Sequence, residues 1–210
     1  MNTDSRPNGR LILASVSPRR RDLLQALGLS FDIQPSTIDE IMDHELKPEQ
    51  LVLNLARQKT EDVFTSISQK SHSERLLVLG ADTIVVLDGK FLGKPIDQED
   101  AVSMLKRLSG RHHEVYTGVW LIVRELDGST QASNSCEKSM VHFRALDERE
   151  MTAYVATGEP MDKAGAYALQ GIGAALVEKI EGSHTNIVGL PIPNVVSLLR
   201  ASGYPILGLP

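Results

Sequence analysis

Three arginines stand where a helix ordinarily favours acids. Ser15-Val16-Ser17-Pro18-Arg19-Arg20-Arg21 follows the apolar run Leu11-Ile12-Leu13-Ala14 and precedes Leu23, Leu24 and Leu27 at helical spacing. Ser17 suits an N-cap and Pro18 suits the first helical position. The arginines then crowd the positive end of the helix dipole, where each cation costs a few tenths to about 1 kcal/mol. An anion seated there reverses that cost. Backbone N–H groups, the hydroxyls of Ser15 and Ser17 and guanidinium forks would hold a phosphate together.

A second candidate is Gly80-Ala81-Asp82-Thr83, which sets an acid between the apolar runs 76–79, suited to a central strand, and 84–87, where the strand is expected to resume. A carboxylate beside a central strand is costly unless it is paired, hydrogen-bonded or bound to metal. The bland alternative is an aspartate in a local turn, but the flanking strands leave little room for a wide loop. A third is the small-residue stretch 162–173, headed by Asp162 and Lys163 and containing Gln170, whose amide both donates and accepts. Its spacing matches neither a Walker loop nor a dinucleotide fingerprint. Asp39, Glu40, Asp82 and Asp162 are hard oxygen ligands suited to Mg²⁺ or Mn²⁺. Arg19, Arg20, Lys59, Lys94 and Lys163 supply countercharge for a polyphosphate.

Other residues invite chemistry less well. His112 and His113 are adjacent, so on a strand they point to opposite faces, and no cysteine or further histidine lies at zinc-site spacing. A surface or edge role is expected for them. Cys136 reads as a minor strand residue and His184 as solvent-facing.

The elements that must position these groups follow from periodicity and punctuation. Strand-then-helix units recur, which indicates an α/β fold. A strand at 10–14 leads into a helix from 18 to about 27, and a short strand is expected over 31–34. A helix from about Pro48 into the sixties carries Leu51, Val52, Leu55, Ala56 and Val63 on its apolar face. Lys59 falls on that same face, where it either snorkels to the edge or points into a polar cleft. Asp88-Gly89 marks a hairpin turn. Asp97 caps a helix of about 97–108, closed by Gly110. A strand over 115–123 has its partner within 134–144, and Asp147 with Glu150 opens a helix through Ala156. The segment 174–180 reads as a strand and 191–201 as a final helix.

Composition sets the outer bounds. Hydrophobic residues make up 41% of the 210 residues and aromatics only 4%, so aliphatic side chains must fill the core. A net charge of −5 argues against general nucleic-acid binding, so any phosphate site is a local basic pocket in an acidic protein. The single cysteine fits a reducing compartment, residues 1–10 lack an apolar signal core, and no apolar run approaches a bilayer span. A cytoplasmic protein without membrane or nucleic-acid partners is expected. One domain over 10–203 is expected, with a polar N-terminal tail at 1–9 and a C-terminal tail at 204–210.

Taken in order, 15–20, 80–83, Gly93-Lys94-Pro95, Leu108-Ser109-Gly110, Asp162-Lys163-Ala164-Gly165-Ala166-Tyr167, Gln170-Gly171 and Gly189-Leu190-Pro191 resemble the Maf family of nucleoside triphosphate pyrophosphatases. The resemblance runs from about Arg10 to Ala201. It implies an inosine-triphosphate-pyrophosphatase-like α/β fold, a mixed twisted sheet with helices and two lobes flanking a central cleft, and a homodimer. It also implies hydrolysis of a nucleoside triphosphate to the monophosphate and pyrophosphate with a divalent metal.

The Asp162–Tyr167 motif followed by Gln170-Gly171 is similar to the branch acting on dTTP and UTP, with modified pyrimidine nucleotides as further substrates. The alternatives are a 7-methyl-GTP pyrophosphatase or a non-catalytic nucleotide-binding regulator of septum formation. By resemblance, Asp82 is the proton acceptor, and Arg19, Thr83 and Gln170 govern substrate choice. Ser15, Ser17, Arg20, Lys59, Lys94 and Lys163 bind phosphate or substrate, and Asp39, Asp82 and Asp162 hold the metal. Many relatives carry an aromatic residue where this chain has His184. Arg21 matches no family site and reads as solvated.

Overall fold

The computed structural model describes residues 9–39, 41–43, 45–69 and 74–206. Glu40 and residues 1–8 and 207–210 therefore lie outside the described residues. The chain divides into two compact units, the first formed by Met1–Asp82, Gly118–Cys136 and Gly189–Pro210, the second by Thr83–Thr117 and Glu137–Val188. Strands β1 (Arg10–Leu13), β2 (Asp32–Ile33), β3 (Leu76–Leu87), β4 (Lys90–Leu92), β5 (His112–Arg124), β6 (Thr130–Phe143) and β7 (Val177–Glu181) form a mixed sheet. Hydrogen-bonded neighbours run β2-β1-β3-β5-β6-β7, with β4 also on β3. The helices are α1 (Pro18–Gln25), α2 (Pro48–Ser68), α3 (Gln98–Leu108), α4 (Glu148–Ala156), α5 (His184–Val188) and α6 (Ile192–Ala201). The expected α/β class with a mixed sheet is the one observed.

In the first unit, β1 pairs in parallel with β3, Arg10 to Leu13 lying opposite Leu76 to Leu79. Leu11, Leu13, Leu77 and Leu79 are fully buried against Leu121, Val195 and Leu199. Each such leucine contributes about 1.5–3 kcal/mol relative to exposure. Tyr204 and Ile206 join this cluster. Helix α2 buries Leu51, Val52, Leu55, Ala56, Thr60, Val63 and Ile67, the stripe its periodicity demands. Two glycines let α2 lie against backbone. A Cβ at Gly80 would sit 2.1 Å from Thr60 Oγ1, and one at Gly118 would sit 2.5 Å from the Val52 carbonyl oxygen.

In the second unit, the hairpin at Asp88-Gly89 returns β4 against β3, with φ of 53° and 72° at the two turn residues. Both central residues of such a tight hairpin turn need positive φ. Helices α3 and α4 pack with β5 and β6 residues around Leu105, Leu108, Val115, Val141 and Tyr154. Asp97 caps α3 by accepting the Asp100 N–H at 2.8 Å. The Asp147 carboxylate accepts the Glu150 N–H at 2.8 Å and the Glu150 carboxylate accepts the Asp147 N–H at 3.1 Å, which opens α4.

Two expectations need correction. Residues 80–83 form no break: β3 runs unbroken through them for 12 residues. The segment expected as a strand from 174 begins as a 3₁₀ turn over Ile172–Leu176, and only then becomes β7. The carboxylate of Glu159 accepts the N–H groups of Ile172 and Gly173 at 3.0 and 2.8 Å, holding that turn closed. Gly171 at φ 91° opens it, and a Cβ there would lie 2.4 Å from Glu159 Oε2.

Candidate functional site

Residues of the first unit centre on Asp82. Its carboxylate, on β3, is only 13% exposed, and the Lys59 ammonium from α2 contacts Oδ1. Lys59 is itself 16% exposed, so it points inward rather than snorkelling outward. The pairing answers the problem that a strand-borne acid poses, because removing one partner of such a pair leaves an uncompensated charge. The same helix anchors the chain around Asp39. Asp62 accepts from Ser36 Oγ at 2.8 Å and Thr37 N at 3.0 Å. Gln58 accepts the Ile41 N–H at 3.1 Å and donates to its carbonyl at 3.2 Å. Asp39 itself is exposed. Neither Gln58 nor Asp62 carried a sequence signal beyond the four-residue spacing that sets the two on one face of α2.

The start of α1 is built differently from the expectation. Ser17 occupies the N-cap backbone position, yet its hydroxyl makes no capping bond. Its N–H instead donates to Ser15 Oγ at 3.2 Å. Arg20 Nε donates to the Gly189 carbonyl at 2.7 Å, and its terminal nitrogen reaches Ser15 Oγ at 3.4 Å. Ser15, Ser17 and Arg20 are thus gathered into one small group. Arg19 is half-buried in the same first turn, which contains no acid. Arg21 bonds Asp22 at the surface, in keeping with a solvated residue.

In the second unit, Thr83 Oγ1 lies 2.9 Å from Thr117 Oγ1, and Thr117 Oγ1 lies 3.0 Å from the Asn186 carbonyl oxygen. Lys94 is exposed on a loop whose Gly93 carbonyl accepts the Gly165 N–H at 3.0 Å. The motifs at 93–95 and 162–167 are therefore tied together. Asp162 and Lys163 form an ion pair, and Lys163 also donates to the Glu159 carbonyl at 3.2 Å. Gln170 is exposed just before Gly171. Burial pushes Glu159 up, but the N–H groups of Gly173 and Ile172, the Tyr154 hydroxyl and the Lys163 charge outweigh it and hold the carboxyl below its usual range.

His113 is not at the surface. It is fully buried, its Nε2 is 2.8 Å from the Tyr167 hydroxyl, and its ring meets Phe143 and Tyr167 edge-on. Burial first, then the nearby His112 and His142, lower its pKa to about 4. It is a neutral core residue. His184 is exposed at the start of α5 and Cys136 is half-buried in β6, as expected.

Among the described residues, no three His, Cys, Asp or Glu side chains gather into a cation-binding group. No helix of the described residues is long and apolar enough to cross a membrane. A cavity of about 500 Å³ lies along α3 and α4, lined by residues including Gln98, Val102, Lys106 and Val155, and by none of the candidate site residues.

Residues 10–202 match the family model described as Maf-like protein. The chain is 44% identical to a "dTTP/UTP pyrophosphatase" of Caldicellulosiruptor saccharolyticus, over 94% of this chain and 97% of that one. It is 48% identical to one of Moorella thermoacetica (95% and 98% covered) and 47% identical to one of Pelotomaculum thermopropionicum (94% and 98%). Among solved structures, the Staphylococcus aureus Ham1 protein aligns with 92% of this chain and 97% of its own at 11% identity and a TM-score of 0.41.

Proposed function

This chain belongs to the Maf-like protein family, and we propose that it is a pyrophosphatase hydrolysing dTTP and UTP to the monophosphate and pyrophosphate. The observation that carries the reading is Asp82, a carboxylate set in an interior strand and met by Lys59. It stands in a chain whose relatives, matched over 94–95% of its length, bear the name of that activity.

Asp82 is the proton acceptor. Lys59 engages Oδ1, which leaves Oδ2 to orient a water and take its proton as the water attacks the α-phosphorus in line. The bond from that phosphorus to the bridging oxygen breaks, and pyrophosphate leaves. Arg19, Arg20 and Lys94 hold phosphate oxygens and stabilise the charge that grows on the leaving group, with Ser15, Ser17 and Lys163 contributing to substrate binding. Lys59 keeps Asp82 in place and adds positive charge beside the reacting group. Thr83 and Gln170 read the pyrimidine edge, and Arg19 contributes to substrate choice.

The donor set fits a divalent cation that arrives with the substrate. Mg²⁺ characteristically takes one or two carboxylates plus phosphate oxygens and waters rather than a protein cage. Because no three such side chains gather among the described residues, one or two of Asp39, Asp82 and Asp162 would hold it together with phosphate oxygens, and when bound it would neutralise phosphate charge. The reading also takes the enzyme to be cytoplasmic, from its composition, and a homodimer, as the family resemblance implies.

A panel of common nucleoside triphosphates with Mg²⁺ or Mn²⁺ tests the proposal by product analysis. The highest kcat/KM is expected on dTTP and UTP, with monophosphate and pyrophosphate as products. A preference for a purine triphosphate would overturn the substrate reading. Binding without turnover would overturn the enzymatic one.

A further inference from the structure

The segment 168–173 carries Gln170, and two residues that the proposed chemistry leaves unused fasten it at both ends. At its start, the Ala168 N–H donates to the Tyr154 hydroxyl at 3.1 Å. At its end, the Ile172 and Gly173 N–H groups donate to Glu159 Oε2 and Oε1 at 3.0 and 2.8 Å. The two anchors are joined, because the Tyr154 hydroxyl donates to Glu159 Oε1 at 2.9 Å. The carboxylate thus accepts three bonds, and the tyrosine spends its single proton on it while accepting from Ala168. Bonds to a carboxylate are roughly twice as strong as neutral ones.

Both anchors stand on one piece of the second unit. Tyr154 is buried in α4, and Glu159 is half-buried just beyond the end of that helix. Glycines bring the backbone against them. A Cβ at Gly173 would lie 2.4 Å from the Ala168 carbonyl oxygen and 2.6 Å from the Tyr154 hydroxyl oxygen. One at Gly171 would meet Glu159 Oε2 at 2.4 Å. The two ends of the segment therefore approach each other, and Gln170 and Gly171 are exposed between them.

We infer that Tyr154 and Glu159 are positioning residues for substrate choice, a clamp that holds the backbone beneath Gln170 where its amide can meet the nucleobase. This rests on the reading of Gln170 as a base-facing residue. A glutamine reads a base edge only when its donor and its acceptor are both correctly placed. On a free bend, each binding event would have to order the backbone as well as the side chain. Clamped at both ends, the backbone gives up that freedom when the protein folds, and binding orders the side chain alone. Because the clamp acts on the base-reading segment, its loss falls on KM and not on kcat.

The test is a double-mutant cycle between Tyr154→Phe and Gln170→Ala, read as KM and kcat on dTTP. Phenylalanine keeps the buried ring and removes both hydroxyl bonds. Gln170→Ala should raise KM about tenfold, and Tyr154→Phe about fivefold with kcat within about twofold. In the Gln170→Ala background, Tyr154→Phe should change KM by less than about twofold, because the residue it positions is gone. A purely structural role would weaken both backgrounds by the same factor. Equal factors overturn the inference, and so does an unchanged KM in Tyr154→Phe.

Should Tyr154→Phe not fold, Glu159→Gln gives the same cycle, since an amide offers one acceptor oxygen where a carboxylate offers two. Should neither fold, hydrogen exchange in the wild type reads the clamp directly. The Ala168, Ile172 and Gly173 amides should exchange as slowly as those of α4, and rapid exchange overturns the inference. Gln170→Ala with the wild-type KM would instead remove the base-facing reading of Gln170. Wild-type inactivity on both dTTP and UTP would remove the pyrophosphatase reading. Either result takes this inference with it.

Discussion

The two units hold their polar residues by different physics. In the first, Asp82 is held by the charge of Lys59, and Arg20 reaches across its unit to the Gly189 carbonyl. In the second, Thr83 meets a run of neutral groups, Thr117 and Asn186. The change falls between consecutive residues of β3. Charge holds a group at a place and tolerates small rotations, which would suit the role proposed for Asp82. A neutral run is weaker per bond and brings no net charge to the site.

The sharpest way to break this comparison is Asp82→Asn. If the charged region does the chemistry, kcat for pyrophosphate release should fall by roughly 10²–10⁴-fold, with dTTP affinity largely kept. A folded variant within twofold of the wild type would remove Asp82 from that role.

Next in size is an effect of acid on the neutral unit. His113 has its pKa lowered to about 4 in the fold, below the ordinary value of 6.5. Between those values the unfolded chain binds a proton that the folded chain does not, so stability is full above about pH 6.5 and is lost as pH falls toward 4. The loss attributable to His113 amounts to roughly 3 kcal/mol. Urea unfolding across that range should show the slope, and His113→Asn should flatten it. An identical slope in the variant would show that His113 is not its source.

Lys59→Met should destabilise the first unit by about 2 kcal/mol, less than for a fully enclosed pair because both side chains retain some exposure. The double variant Lys59→Met/Asp82→Asn should recover part of that loss, measured as a coupling in chemical denaturation. Additive effects would mean that the two charges do not support each other.

The smallest effect is expected at the ion pair of the second unit. Asp162 is 67% exposed beside Lys163, so Asp162→Asn should change unfolding free energy by no more than about 0.5 kcal/mol. A loss as large as that of Lys59→Met would erase the distinction between the units.

Much of the fold is visible in local pattern. The apolar stripe of α2, the Asp97 and Asp147 caps and the Asp88-Gly89 turn each follow from short-range chemistry, and all are present. What escapes the sequence depends on distant partners. Gly80 and Asp82 argue for a break in β3 when judged by propensity, but their strand neighbours and α2 on the bare backbone keep the strand whole. The turn at 172–176 depends on Glu159, 13 residues earlier, capturing its N–H groups. Adjacent histidines gave no hint that one is sealed against Tyr167. At the candidate site, Asp82 stood out because an acid in an apolar run is conspicuous. Lys59 had two readings until α2 met the sheet. Thr117 and Asn186 were invisible because neutral polar residues become informative only when their partners are known.

The bare backbone at Gly80 and Gly118 has a further meaning for Lys59. A lysine has a fixed reach, so whether it touches Asp82 is a question of clearance between helix and strand. Two hydrogen atoms, where other residues carry methyl groups, act as the shims that set this gap. A chain could keep every charged residue of the first unit and still lose the alignment through one added carbon at a position with no polar atom of its own. In this molecule the setting of Asp82 is machined at its glycines.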